Sequence, residues 1–371
     1  MVNDYGTEIK KLGFGLMRLP RKGVLTDVEQ TKQMVDLFMA AGCTYYDTAF
    51  VYPGSEEATR KALVDRYPRD AYTLASKLNA AMALNEKSAK AQLRTSLKRT
   101  NAGYFDYYLL HSLMDNNYQK YEKFRIWDFA AEQKQKGLIR HYGFSYHSGP
   151  ELLDRILTEH PEAEFVQLQI NYADWENPAI MSRANYEVAR RHGKPIVIME
   201  PVKGGTLANP PKEVAELLRK ANPDASPASW AIRFAASLDG VLTVLSGMSN
   251  LAQMRDNLSF MADFRPLSAD EQGVIQEAQR LLGRSSTIPC TSCHYCTKGC
   301  PKQIPIPEIF TAMNQRLGNG QLTESVESYR AAVGEGNGAG ACIACRQCEK
   351  ACPQHIRIVD RLKECAAALE T

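Results

Sequence analysis

The chain has 371 residues, 44% of them hydrophobic, which is enough for one large folded domain and a smaller one beside it. Lys plus Arg of 45 against Asp plus Glu of 42 leaves a formal charge of +3 with no basic tail and no run of like charge, which excludes nucleic acid as the expected partner. No apolar run reaches the roughly 18 residues of a membrane span, and the start MVNDYGTEIKKLG has no apolar signal core, so the expectation is a cytoplasmic protein with no membrane partner.

In chain order, eight short β-rich runs alternate with longer helical patterns. KLGFGLM is the first; its G-x-G lacks the third glycine of a dinucleotide fingerprint, which leaves a strand with close backbone packing. Thr26-Asp27 then precedes an apolar-periodic run through Val28, Met34, Val35, Leu37 and Phe38 that Gly42 ends, the pattern of a capped helix. AGCTYYDTA is the second strand, and Ser55 with Glu56 opens the helix after it. AYTLASKL, YFDYYLLHS, LIRHYGFS, EFVQLQIN, KPIVIMEP and GVLTVLSG follow as strands three to eight, while Ser226-Pro227 opens a late helix with proline near its first position. Their last informative residues are Met17, Asp47, Lys77, His111, Ser145, Asn171, Glu200 and Ser246, mostly 26 to 34 residues apart, the length of a βα unit. Eight such alternations predict an α/β fold, a (β/α)8 TIM barrel over residues 1–281, rather than an open doubly wound sheet.

Near Leu281 to Pro289 the alternation stops, and LLGRSSTIPC reads as a linker. In residues 282–371, CTSCHYCTKGCP at 290–301 and CIACRQCEKACP at 342–353 both space cysteines as C-x-x-C-x-x-C-x-x-x-C-P, the pattern with which bacterial ferredoxins hold 4Fe-4S clusters. Between and after them lie helix-like IPEIFTAMNQRL, LTESVESYRAAV and IRIVDRLKECAAALE, with little β-alternation. A small, mainly helical ferredoxin-like dicluster domain is therefore expected. Four cysteines also suit zinc, but a third cysteine two residues on and a C-x-x-x-C-P ending are uncommon in zinc knuckles. In two-cluster ferredoxins the fourth cysteine of each run serves the other cluster. One cluster would then use Cys290, Cys293, Cys296 and Cys352, and the other Cys342, Cys345, Cys348 and Cys300. Only Cys43 and Cys365 remain of the ten cysteines, so the usage points to a reducing compartment and to oxygen sensitivity rather than to disulfides. His294 and His355 read as surface groups beside the clusters, not as ligands.

Asp47, Tyr52, Lys77 and His111 stand where strands two, three and four end, and the C-terminal ends of barrel strands face one pocket. A buried lysine beside a tyrosine favours the phenolate and lowers the tyrosine pKa toward the working pH, while a carboxylate keeps the ammonium charged and oriented. The histidine can hold a substrate oxygen.

AGCTYYDTAFVYPGSEEATRKAL, followed by Lys77 and His111, resembles the aldo-keto reductases, and the similarity continues through GFSYHS, VQLQIN, SPASWAIRF and GMSNLAQMRDNL over roughly residues 11–280. The resemblance implies a (β/α)8 barrel and places the family's catalytic tetrad on Asp47, Tyr52, Lys77 and His111. It also implies that Ser145 and Gln167 hold a nicotinamide carboxamide. Val202, Gly204, Gly205 and Leu207, with Gly247 and Ser249, would meet the cofactor phosphates. Gln253 and Asn257 would lie at the adenosine end, the alternative for these two being ordinary exposed helix polarity. Three departures bear on the cofactor: Tyr146 where the family commonly has asparagine, Met199 where an aromatic platform is expected, and Asn250 where many members carry an arginine for the 2'-phosphate.

The combined expectation is an oxidoreductase of the branch with a C-terminal ferredoxin-like domain, acting on a small carbonyl or alcohol with NAD(P)H. Tyr52 would be the proton donor or acceptor, and two 4Fe-4S clusters would exchange electrons with an external carrier such as a ferredoxin or flavoprotein. Nicotinamide exchanges a hydride and a cluster exchanges single electrons. A flavin in the barrel, a substrate that takes single electrons, or clusters that only brace or sense would each reconcile the two. The alternatives are an electron-transfer or docking subunit whose barrel no longer turns over carbonyls, and a redox sensor. Arg18, at the top of strand one, suits either a substrate anion or a structural ion pair.

Overall fold

Eight strands carry the frame: β1 (Leu12–Gly15), β2 (Tyr45–Asp47), β3 (Thr73–Leu78), β4 (Phe105–Leu113), β5 (Ile139–Tyr146), β6 (Val166–Gln169), β7 (Ile196–Met199) and β8 (Val241–Ser246). In this computed structural model, which describes residues 9–284 and 286–370, they pair in parallel and in sequence order, and β1 meets both β2 and β8 to close the barrel. Parallel strands covered on both faces should read as continuous buried runs. All six residues of β3, Thr73–Leu78, are buried, and so are all six of β8. Tyr45, Ala75, Leu109, Val197 and Leu245, one from each of five strands, fill the interior with Phe165 just before β6. The barrel is thus a packed core with its chemistry left to the rim.

Around it run α1 (Val28–Ala40), α2 (Ser55–Thr59), α3 (Glu86–Thr100), α4 (Tyr118–Lys123), α5 (Ile126–Gln135), α6 (Pro150–Glu159), α7 (Ser182–Arg191), α8 (Lys212–Ala221), α9 (Pro227–Ala236), α10 (Leu251–Met261) and α11 (Ala269–Leu282). Asp27 caps α1 as expected, its carboxylate accepting from the Gln30 N–H at 3.1 Å. α9 begins at Pro227. Ser55 is the first residue of α2, with Gly54 in the capping position, and the helix passes directly into a π turn over Arg60–Val64.

The boundaries correct the sequence reading in three places. KLGFGLM is strand only to Gly15; Leu16–Arg18 form a 3-10 turn, because the ladders to β2 and β8 end at Gly15 and Phe14. Asn171 and Glu200 lie beyond the ends of β6 and β7, Glu200 with φ +56°. A two-residue hairpin, Arg21–Lys22 with Leu25–Thr26, turns at Gly23 and was not anticipated.

After the barrel helices come α12 (Ile306–Asn319), α13 (Leu322–Val333), α14 (Gln347–Lys350) and α15 (Ile358–Leu369). The three long helices coincide with the predicted helical runs, and no strand falls among the described residues after 284. The two cysteine segments are built alike. Positive φ falls at Ser292, His294 and Gln303 in the first and at the equivalent Ala344, Arg346 and His355 in the second. Each then enters its helix through a matching isoleucine pair, Ile304 and Ile306, or Ile356 and Ile358, with the second amide of each pair bonded to the first carbonyl. These isoleucines join Ile309, Phe310 and Leu362 in one core that includes Cys296, Cys348 and Cys352.

By compactness the chain divides into residues 1–176, 181–201 and 228–270 on one side and 177–180, 202–227 and 271–371 on the other. Among the described residues no helix is long and apolar enough to cross a membrane.

Candidate active site and cysteine cavities

The register of the barrel strands brings the four predicted polar residues to one end. Asp47, last residue of β2, pairs with Ala75 of β3, and two residues on in β3 stands Lys77, opposite Leu109 of β4. The Lys77 ammonium is buried; it donates to an Asp47 carboxylate oxygen and to the Thr48 carbonyl at 2.8 Å. It also lies over the Tyr52 ring, 4.9 Å from the centroid. His111 meets Tyr52 edge to face, with centroids 5.7 Å apart at 84°. β4 carries His111 at a bulge: its register against β5 shifts between Leu110 and Leu113, and Ser112 takes φ +60°. The bulge re-aims the histidine, whose own carbonyl is held by the Tyr121 hydroxyl. All four residues are together at this end of the barrel.

Burial holds the Lys77 ammonium below the usual lysine range, and the charges of Asp47 and Glu56 oppose that drop. Burial likewise pushes the Asp47 carboxyl up against the pull of Lys77 and a bond from Gln167. The direction that governs is the lowered lysine, whose ammonium is held by the Asp47 carboxylate and the Thr48 carbonyl.

Ser145 and Gln167 are paired across β5 and β6 and both are buried. The Ser112 N–H, freed by the bulge, donates to the Ser145 hydroxyl at 2.7 Å. Tyr146 gives its hydroxyl to the Gly149 carbonyl, and Met199 is partly exposed opposite Gln169. At the end of β8, Gly247 lies against the stem of Arg18, which reaches Glu200 at 3.4 Å. The Ser249 N–H is taken by the Gln253 side chain at 2.7 Å, and Asn250 caps α10 by accepting from the Gln253 N–H at 2.9 Å. Asn257 is buried and accepts from the Ser246 hydroxyl at 3.1 Å, so exposed helix polarity does not describe it.

Val202, Gly204, Gly205 and Leu207 fall in the second compact unit. There the Gly205 and Leu207 amides both donate to the Val202 carbonyl, at 3.0 and 3.1 Å. A Cβ on Gly204 would lie 2.6 Å from the Thr291 Cα, so this turn accepts only glycine beside the residue that follows Cys290.

The eight motif cysteines line two cavities, four to each. Cys290, Cys293, Cys296 and Cys352 line the first, and Cys300, Cys342, Cys345 and Cys348 line the second. Most of the remaining lining is aliphatic or aromatic, and the Ser292 N–H points at the Cys290 sulfur at 3.4 Å. Among the described residues no three His, Cys, Asp or Glu side chains converge on a single-ion position; the thiols surround a volume instead. Four thiols about an apolar hollow, with an amide directed at sulfur, fit a polynuclear iron-sulfur group. Burial pushes the Cys290 and Cys348 thiols up to about 11. His294 and His355 are exposed.

Sequence reasoning passed over Glu56 as part of the site. Its carboxylate is buried and accepts from the Ser76 hydroxyl at 2.9 Å and from Arg99 at 3.2 Å. Arg99 also binds the Phe50 carbonyl at 3.1 Å, so a guanidinium from α3 clamps the segment bearing Tyr52 on both sides. The available signal was local: Ala58, Thr59, Ala62 and Leu63 after it are small or apolar and buried, which marks the segment as one packed against the barrel.

A parallel barrel carrying this quartet on its rim, followed by a double cysteine framework, defines an oxidoreductase. The chain belongs to the aldo/keto reductase family, whose profile matches residues 11–280, and a 4Fe-4S dicluster domain matches residues 289–356. The chain is 25% identical to aldo-keto reductase AKR11C1 from Bacillus halodurans (holo form), with a TM-score of 0.58, covering 73% of this chain and 92% of that one. An aldo/keto reductase from Klebsiella pneumoniae in complex with NADP and acetate shares the fold, with 19% identity, a TM-score of 0.59, and coverage of 75% and 93%. Aldo-keto reductase str7 of Strobilurus tenacellus is 29% identical over 212 residues, 54% of this chain and 60% of its own length. The uncharacterized oxidoreductase YqkF of Bacillus subtilis (strain 168) is 24% identical over 307 residues, 72% of this chain and 92% of its own length. These relatives offer no support for a flavin.

Proposed function

We propose that the barrel domain, residues 1–281, interconverts a small carbonyl and its alcohol with NAD(P)H, and that residues 282–371 hold two 4Fe-4S clusters that exchange electrons with an external carrier. The observation that carries the reading is the buried Lys77 between Asp47 and the Tyr52 ring, with His111 edge-on to the same tyrosine. Tyr52 gives its proton to the substrate oxygen as negative charge develops there, and Lys77 stabilises the phenolate left behind. Asp47 and the Thr48 carbonyl hold the ammonium in place for that role. His111 orients the substrate oxygen.

Ser145 and Gln167 would hold the nicotinamide, with Gly247, Ser249, Gln253 and Asn257 toward its phosphates and adenosine. When bound, the nicotinamide supplies the hydride. NADP in the Klebsiella complex supports a nicotinamide nucleotide, while Asn250, committed to a helix cap, offers no cation for a 2'-phosphate. The cysteine sets Cys290, Cys293, Cys296, Cys352 and Cys342, Cys345, Cys348, Cys300 are each gathered at one cavity, which supports cross-ligation.

The test is carbonyl-dependent NAD(P)H oxidation by the anaerobically purified chain. Tyr52→Phe should lower kcat by about 10²–10⁴-fold with the fold intact. Unchanged turnover would remove Tyr52 from the mechanism. No carbonyl-dependent oxidation by the parent chain would favour the electron-transfer subunit.

A further inference from the structure

The two cysteine cavities meet solvent differently. In the first, Cys296 and Cys352 are buried and Cys290 and Cys293 are half-buried. In the second, Cys345 is exposed and sits at the centre of an exposed run from Ile343 to Gln347. Ile343 is 57% exposed, a large aliphatic side chain standing in water beside a cavity that it also lines.

The rim of that second cavity is cationic. Lys302 and Arg346 line it, and Lys298 and Lys350 are exposed on the two cysteine segments that frame it. Among the described residues, neither Lys298 nor Lys302 enters an ion pair. Glu349, two residues beyond the exposed run, has a side chain only 20% exposed; it accepts from the Val359 N–H and stands 3.9 Å from Arg346. Along these two segments exposed positive charge therefore outweighs negative.

We propose that the second cavity is the electron port of the chain and that Ile343, with Lys302 and Arg346 on the same cavity and Lys298 and Lys350 exposed on the two cysteine segments, docks a small acidic protein that carries one electron. The proposal rests on the reading that the cysteines hold clusters, and it adds which cluster meets the carrier and what charge the carrier has. Electron transfer between proteins requires close approach of the two centres, and only the second set places a candidate ligand in an exposed segment. Brief redox encounters use small interfaces, with opposite charge supplying steering and orientation more than affinity. Inside the domain, Ile306 lines both cavities, so they are neighbours and an electron received at the port has a short way to the first cavity. Each encounter moves one electron between carrier and port and transfers no proton, bond or group. Two encounters match the electron count of one hydride.

The test uses the full-length chain, purified anaerobically with its iron, and an acidic [2Fe–2S] ferredoxin as probe, with binding followed by biolayer interferometry. Affinity should fall as salt is raised, because the charges involved are exposed. The double variant Lys298→Glu, Lys350→Glu, which alters neither a cysteine nor a cavity-lining residue, should bind at least about ten-fold more weakly at low salt. Its iron content and its EPR signal on reduction should match those of the parent. Either single variant should show the same direction and serves if the double variant fails to fold. Salt-independent binding by the parent, equal affinity of parent and variants, or tighter binding of a basic cytochrome c than of the ferredoxin would overturn the proposal. A parent chain without iron removes the cluster reading itself, and the port with it.

Discussion

In the proposed mechanism Lys77 must be buried to act strongly on Tyr52, yet burial drives an ammonium toward neutrality. Asp47 and Glu56 oppose that drop. Asp47→Asn takes away the nearer anion, so the Lys77 pKa falls further, and activity that needs the charged lysine is lost at lower pH as pH rises. The pH profile of kcat/KM should therefore lose its alkaline limb about one unit or more earlier than in the parent. An alkaline limb that stays in place would show that Lys77 keeps its charge without Asp47. At this scale the quartet was legible because Asp47, Lys77 and His111 each lie at or within two residues of a strand's end, at regular spacing. The Glu56–Arg99 pair was not, because a charge in a helical run reads as solvated until its partners on α3 and β3 are seen.

At the level of elements, the barrel sets limits that local pattern does not express. Gly143 in β5 has an ordinary strand conformation, but a Cβ there would lie 2.1 Å from the Phe165 carbonyl oxygen, a backbone atom that cannot move aside. Gly143→Ala should cost about 3 kcal/mol in urea denaturation, at the upper end for overpacking, and loss of soluble protein would be the extreme of the same effect. A cost below about 0.5 kcal/mol, the scale of an indifferent surface site, would mean that β5 and β6 can separate. Asn250→Ala should cost about 1 kcal/mol by uncapping α10. The strand runs were legible from apolar content, whereas their ends were not. Apolar sequence continues through Leu16 and Met17, but the ladder stops because neighbouring strands have no residues left to pair.

For the molecule as a whole, the cysteine domain is one unit built from two similar halves, not two independent motifs. The matching positive-φ residues and isoleucine pairs make the halves alike. Each half nevertheless sends its last cysteine to the other's cavity, Cys300 to the second and Cys352 to the first. The spacing of the motifs made cross-ligation an expectation, but only the packing of α12 and α15 into one core with the cysteines gives it a physical basis. If each cavity holds one cluster, Cys352→Ser should behave like Cys290→Ser, 62 positions away in the chain, and unlike Cys342→Ser, its neighbour in the same motif. Iron should fall by about half in all three, since each loses one ligand from one cluster of the pair. The EPR spectrum on reduction separates them: Cys352→Ser and Cys290→Ser should retain the same remaining signal, and Cys342→Ser with Cys300→Ser should retain the other. Were Cys352→Ser to group with Cys342→Ser instead, each motif would be closing its own cluster, and the shared core would be packing without shared ligation.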